Sequence, residues 1–399
     1  HGPRRLRLND TQCRVLPLGD QAQVHLIDVA FDTPLPEDAL IGYDLIIDGE
    51  GGIADWAAHL LYPGQRRPAF VLHSRRRQLL HGSCRKPHHK DRDGLVRADQ
   101  LIASAPEDPS ARPALLLLTG DQVYVDDVSA PMLAAIQALI PALGLHDEQL
   151  RGASVATGTE LYGHPDNHRR ERLLPELKAN RDLRERFFGG VRKPVFTSDN
   201  AHRHLITLAE VSAMYLLVWS PLPWRLIDPA EPALEERDRE YYPRHKDAVD
   251  AFVKDLPAVA RVLAQLPTLM IFDDHDITDD WNLTAAWEAS AYGHPFSRQI
   301  IGNALIGYLL FQGWGNNPDA FNEVLPDVDR MLRQTTPDRA LAQPLQSEVI
   351  DTLLAFEHWH YTLPGSPKLV VLDTRTRRWR SERRAARPSG LMDWEALTE

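Results

Sequence analysis

Four apolar runs in this chain each stop abruptly at a polar motif, and that repeated break most restricts how the chain can fold. Leu79-Leu80-His81 runs into Gly82-Ser83-Cys84-Arg85, and Pro113 to Leu118 runs into Thr119-Gly120-Asp121-Gln122-Val123-Tyr124-Val125-Asp126-Asp127. Leu266 to Ile271 leads into Phe272-Asp273-Asp274-His275-Asp276-Ile277-Thr278-Asp279-Asp280-Trp281-Asn282, and Lys368 to Leu372 leads into Asp373-Thr374-Arg375. Continuous apolar runs are the mark of strands covered on both faces. Helical spacing from Leu95 to Ala103 separates the first two and gives a βαβ rhythm. In open α/β sheets ligands bind beyond the carboxyl ends of the strands. If these strands run parallel, the four motifs converge on one crevice.

The third motif sets the chemistry. Five carboxylates and a histidine fall within eight residues, Asp273 to Asp280, and at the end of a buried strand they need a strong counter-charge. A multivalent cation is the simplest supplier. The competing reading is a solvated acidic loop whose Thr278 or Asp279 caps the next helix.

The remaining chain frames these motifs. Residues 1–76 carry short β-rich runs punctuated by Pro and Gly, spaced as in part of an antiparallel sandwich, and form a small N-terminal domain. Residues 77–399 form the larger α/β domain. Within it Met132 to Leu145, Glu171 to Phe188, Ala201 to Trp219 and Asp250 to Gln265 have helical spacing, whereas Gly152 to Asn167 and Pro221 to His245 read as loops. A further helical block spans about 284 to 357 and precedes a hairpin. The net charge of −11 gives no support for a nucleic-acid partner and is compatible with cation binding. Cys13 and Cys84, the only cysteines of 399 residues, are not a disulfide framework. No apolar run approaches the ~20 residues of a membrane span.

Gly120-Asp121 followed by Tyr124 is the most diagnostic spacing. The glycine permits a tight turn, the aspartate can offer oxygens to two cations, and tyrosinate suits a hard ion such as Fe(III). The plain alternative is a turn glycine, a capping aspartate and a half-buried tyrosine. Cys84 stands where a first ligand belongs, and its soft thiolate favours iron or zinc over magnesium alone; a lone cysteine is otherwise a small buried residue. Arg85 could lower the thiol pKa or hold a phosphate oxygen. Arg375 could bind a phosphate oxygen or pair with Asp373, and His275, if protonated, could assist a departing alkoxide.

Together, Gly82-Ser83-Cys84, Gly120 to Asp126 and Asp273 to Trp281 resemble, in order and separation, the alkaline phosphatase D (PhoD-like) phosphatases of the calcineurin-like metallophosphoesterase superfamily. The likeness runs from about residue 77 to the end, and that family also carries a preceding β-rich domain. It implies a metallophosphoesterase-type β-sheet sandwich flanked by helices, with a long helical insertion, around a binuclear or larger metal centre of iron plus calcium or another divalent cation. By position, Cys84 and Tyr124 look like iron ligands, Asp121 like the bridge, Asp274 like a ligand of the second metal, and His275 like the group beside the leaving oxygen. The implied substrates are phosphate mono- or diesters.

Departures from the pattern bear on this expectation. Asp276 stands where the motif more often has Glu. The superfamily's later histidine motifs are absent, and His358-Trp359-His360, read as two histidines on one strand face, lacks their glycine turn. The chain starts at His1 without Met, and its last helical run, Leu391 to Leu397, has no cap; it reads as a fragment, with the missing ligands expected past Glu399. The rival expectation is a non-catalytic, metal-stabilised binding or scaffold protein of the same fold. A calcium loop of the EF-hand type fits poorly, since the acidic run lacks its glycine and spacing. His88 and His89 read as solvated loop residues, and His202 and His204 as capping or packing residues.

Overall fold

The computed structural model describes residues 4–173 and 195–398, so most of the helix expected over Glu171 to Phe188 lies outside the described residues. Strands β5 (Leu79–Gly82), β6 (Leu115–Thr119) and β7 (Thr268–Ile271) form a parallel sheet in the order β5-β6-β7. Leu79 pairs with Leu115, and Leu118 with Met270. Three of the four apolar runs therefore do lie side by side with their carboxyl ends together.

The central strand shows why such a run is continuously apolar. Alternate side chains leave opposite faces of a strand. Leu116 and Leu118 pack with Leu95 and Ile102 of helix α1 (Leu95–Ala103) and with Val259 and Val262 of a later helix. Leu117 enters the other, larger core with Ile136, Met214 and Ile301. Those three come from α2 (Ala130–Leu143), α3 (Leu208–Trp219) and, further along, the helix Pro295–Tyr308. Both sheet faces are thus covered, and the molecule is a mixed α/β structure.

The helices have legible ends. Pro131 stands in the first turn of α2 and Gly144 follows it at φ 58°, a left-handed stop. Thr207 and Glu210 close a capping box on α3. The helix α4 (Glu236–Gln265) begins well inside the stretch Pro221 to His245 that reads as a loop. Pro243 and Pro257 lie within it without ending it, because Tyr242, Val249, Phe252, Leu256 and Val259 bury one stripe against the sheet and neighbouring helices. After β7 come α5 (Ala285–Gly293), α6 (Pro295–Tyr308), α7 (Leu325–Arg333) and α8 (Gln343–Leu354), then the antiparallel pair β8 (Tyr361–Leu363) and β9 (Leu369–Val371).

Two expectations need correction. The N-terminal strands do not make a sandwich among the described residues: β1 (Cys13–Pro17) pairs with β2 (Gln23–Ile27), and β3 (Leu40–Gly42) with β4 (Ala69–Val71), as separate two-stranded ribbons. Leu16, Leu18 and Leu26 are buried in the helical core, which leaves no second sheet face for them to cover. The fourth run, β9, pairs antiparallel with β8 and not with the parallel sheet. The motif after it nonetheless reaches the same crevice.

Candidate metal centre

The turns after β5 and β6 are laced together by backbone. Cys84 N–H donates to Gly120 O at 3.1 Å, and Arg85 N–H to Asp121 O at 2.7 Å. Cys84 and Asp121 both take left-handed backbone, φ 58° and 57°. For a non-glycine residue that costs about 1–3 kcal/mol and persists where surroundings enforce it, which is typical of functional turns. Gly120, at φ 112°, lies so close to the β7 end that a Cβ would overlap Asp273 and sit 2.8 Å from its backbone nitrogen. Glycine is therefore what lets the second and third motifs touch.

Asp276 fastens this junction. Its carboxylate is fully buried and accepts N–H bonds from Asp121 (2.6 Å), Val123 (3.0 Å) and Asp273 (3.0 Å). The short aspartate arm suits a clasp seated between the two turns. Burial and the nearby Asp121 push its pKa up, to about 8, against those three donors.

Asp121, Asp274 and His275 come together so that one ligand atom from each lies within 4.8 Å of the others. The Cys84 thiol donates to Asp121 Oδ2 at 3.4 Å, and Tyr124 stacks on the His275 ring with centroids 4.7 Å apart. On the other flank, Arg375 Nε bonds Asp273 and its Nη2 lies 3.2 Å from Asp274 Oδ2. Arg375 is held by its own N–H on Asp373 Oδ1 at 2.8 Å and by Asn282 Nδ2 on its carbonyl at 3.2 Å. The ion pair therefore forms with the acidic motif, and Asp373 instead fixes the turn.

His275 is gripped by a residue not singled out in the sequence. Its Nδ1 lies 2.8 Å from Asp126 Oδ2, a fully buried carboxylate that also takes the Asp279 N–H at 2.7 Å. A carboxylate is acceptor-only, so Nδ1 carries the proton. Burial opposes charge on the imidazole, but Asp126, Asp121 and Asp274 outweigh it and hold His275 high, at about 9. Burial pushes Asp126 up to about 6, while the His275 and Asp279 donors favour its ionised form.

The donor set fits a cation. Burial raises the Asp121 pKa, and Asp274 and Asp273 raise it further, although His275 opposes them; a metal ion between these carboxylates would remove that repulsion. Burial also raises the Cys84 thiol, with Ser83 and Tyr124 hydrogen bonds opposing, and raises Tyr124 far above the ordinary phenol. Both would ionise only with a cation against them. Oxygen donors with one thiol form a set that takes borderline as well as hard metals, while the protonated His275 stands beside the cation without ligating it.

Arg85 does not join this group, which corrects the phosphate-binding role considered for it. Its guanidinium lies between the Trp219 and Phe252 rings, 4.4 and 4.5 Å from their centroids, and its Nε bonds Asp93 at 2.6 Å. It anchors the Cys84 turn to α3 and α4 from inside the protein. His88 is also packed, not solvated, with Nε2 3.4 Å from Asp127 and its ring against His245; His89 is exposed as expected. His358 and His360 precede β8 and are not strand residues. The Asp126–His275 pair and the Asp276 clasp were not foreseen from the motifs that contain these residues. Both lie within a motif, but the groups they bind are distant in the chain. Compared with known proteins, the chain matches no family model, no curated protein and no solved structure.

Proposed function

We propose that this protein is a metal-dependent phosphoesterase of the PhoD-like, metallophosphoesterase type, hydrolysing phosphate mono- or diesters at the ends of β5, β6 and β7. One observation carries the reading: the Asp121 and Asp274 carboxylates, from two different strand ends, come within 4.8 Å of each other and of the His275 ring, with Cys84 and Tyr124 alongside. Cys84 and Tyr124 would hold iron, and Asp121 would be shared with a second cation, calcium or another divalent ion, that Asp274 also holds. When bound, such a pair supplies Lewis acidity at the phosphoryl oxygen and a nucleophile at neutral pH.

The chain's own residues do the rest. His275, kept protonated and oriented by Asp126, donates its Nε2 proton to the departing alkoxide. Tyr124 fixes the plane of that ring by stacking. Arg375, poised between Asp273 and Asp274, offers its fork to a non-bridging oxygen and limits repulsion between the acidic wall and an anionic substrate. Gly120 and Asp276 keep the two strand ends at the spacing this needs.

A second reading, a non-catalytic metal-stabilised scaffold, draws on the same Arg375: its pairing with Asp273 and Asp274 supplies part of the counter-charge that the acidic run needs. Metal analysis with turnover of p-nitrophenyl phosphate and bis-p-nitrophenyl phosphate separates the two, with Asp121→Asn and Cys84→Ser alongside. Turnover that falls with metal content in Asp121→Asn is expected. Full activity in that variant sinks the mechanism, and bound metal without turnover favours the scaffold.

A further inference from the structure

Two residues beyond Cys84, Lys86 reaches a place that neither the metal donors nor the leaving-group acid accounts for. Its ammonium bonds Asp127 and stands 5.6 Å from the centre of the Tyr124 ring, the same ring that stacks on His275. The side chain is 23% exposed, whereas Asp127 is 3% exposed. Asp127 does not depend on Lys86 alone: Asn200 Nδ2 donates to it at 2.6 Å, and His88 Nε2 lies 3.4 Å away. An ammonium carries three N–H donors, and only the one on Asp127 has a protein acceptor among the described residues. Asp127 therefore works as a buried bracket. It fixes the position of a cation beside the Tyr124 ring, on a lysine side chain that is itself partly open to solvent.

We infer that Lys86, bracketed by Asp127, is the anion-recruiting residue of the site and binds a non-bridging oxygen of a tetrahedral phosphate, in the ester substrate and in released inorganic phosphate. The inference rests on the phosphoesterase reading. The acidic wall of Asp121, Asp273 and Asp274 is met within the crevice by Arg375 and His275, and a cation standing outside that group adds to the attraction felt by an incoming phosphate dianion. A lysine serves there as a mobile point charge, unlike the planar fork of Arg375. Because the contact is made with bound substrate and released phosphate alike, it strengthens binding uniformly and shows in KM more than in kcat.

The test uses the metal-loaded full chain, with p-nitrophenyl phosphate as substrate and inorganic phosphate as competitor, and calorimetric phosphate binding measured in parallel. Lys86→Gln is expected to raise KM and the phosphate inhibition constant about tenfold or more, the usual scale for a lost charged hydrogen bond. The expected kcat stays within about twofold, metal content is unchanged, and Lys86→Arg restores most of the binding. Values within twofold of wild type in Lys86→Gln would overturn the inference and leave the phosphoesterase reading intact. A KM rise that tracks lost metal or is not rescued by arginine would overturn it too, in favour of a structural ion pair. A wild-type chain without turnover that binds phosphate through Lys86 would sink the phosphoesterase reading and support the anion site.

Discussion

Replacing Asp276 by alanine tests how the two central turns are held. The wild-type carboxylate takes the Asp121 and Asp273 N–H groups on Oδ2 and the Val123 N–H on Oδ1, with no exposed surface. Asp276→Ala strands three buried donors, each costing about 1–3 kcal/mol when no acceptor replaces the lost one. Allowing for some relaxation, the loss should be about 3–6 kcal/mol, a large share of the 5–15 kcal/mol of an ordinary domain. Asp276→Asn keeps one acceptor oxygen and should fall between. Asp276→Glu must fit an extra methylene into a closed space, at about 1–3 kcal/mol. Urea unfolding of the metal-free protein reads all three. Because Asp121 is one of the clasped residues, cation affinity should weaken in the same order. An alanine variant within about 1 kcal/mol of wild type would refute the clasp.

Other expectations follow from the same junction and its surroundings. Gly120→Ala, forced into φ 112° and into Asp273, should cost about 2–5 kcal/mol and lower metal affinity; thermal unfolding and metal titration check it. Arg85→Met should cost about 3–5 kcal/mol by leaving the buried Asp93 unpaired, yet leave KM unchanged in the molecules that fold, which steady-state kinetics corrected for folded fraction would show. Burial holds the His204 pKa down to about 4, below the ordinary 6.5, so the folded state binds fewer protons than the unfolded one. Its stability contribution, about 3 kcal/mol at most, is present above pH 6.5 and lost as pH falls towards 4. His204→Gln should flatten that acid slope in unfolding measured from pH 7 to 4. Arg375→Gln should raise the affinity for added divalent cations, measured by titration, because Asp273 and Asp274 lose a competing charge.

The sequence reached the sheet and its strand ends but not the ties between them. Leu115 to Leu118 had to be a strand covered on both faces, because no surface strand carries such a run, and Gly120-Asp121 after it announced a turn. The N-terminal runs misled: Leu16, Leu18 and Leu26 look like one face of a sandwich, but the face they meet is helical and comes from much later in the chain. Arg85 resembled an anion binder because a cation beside a motif reads that way. Its real environment, Trp219, Phe252 and Asp93, is assembled only by tertiary packing. The Asp126–His275 and Lys86–Asp127 pairs were hidden for the same reason. α4 overran its expected start because the buried stripe through Tyr242 and Val249 outweighed the local signal of Pro243.

Metal content and phosphoester turnover, measured on the same samples of wild type and Asp121→Asn, bear most directly on the central claim. Asp121 ties the two turns together, accepting from the Cys84 thiol on one side and the His275 N–H on the other. Wild type should retain metal through dialysis and hydrolyse p-nitrophenyl phosphate, while Asp121→Asn, still folded, should lose both together. Undiminished turnover in Asp121→Asn, or turnover in wild type that survives complete removal of metal, would contradict it.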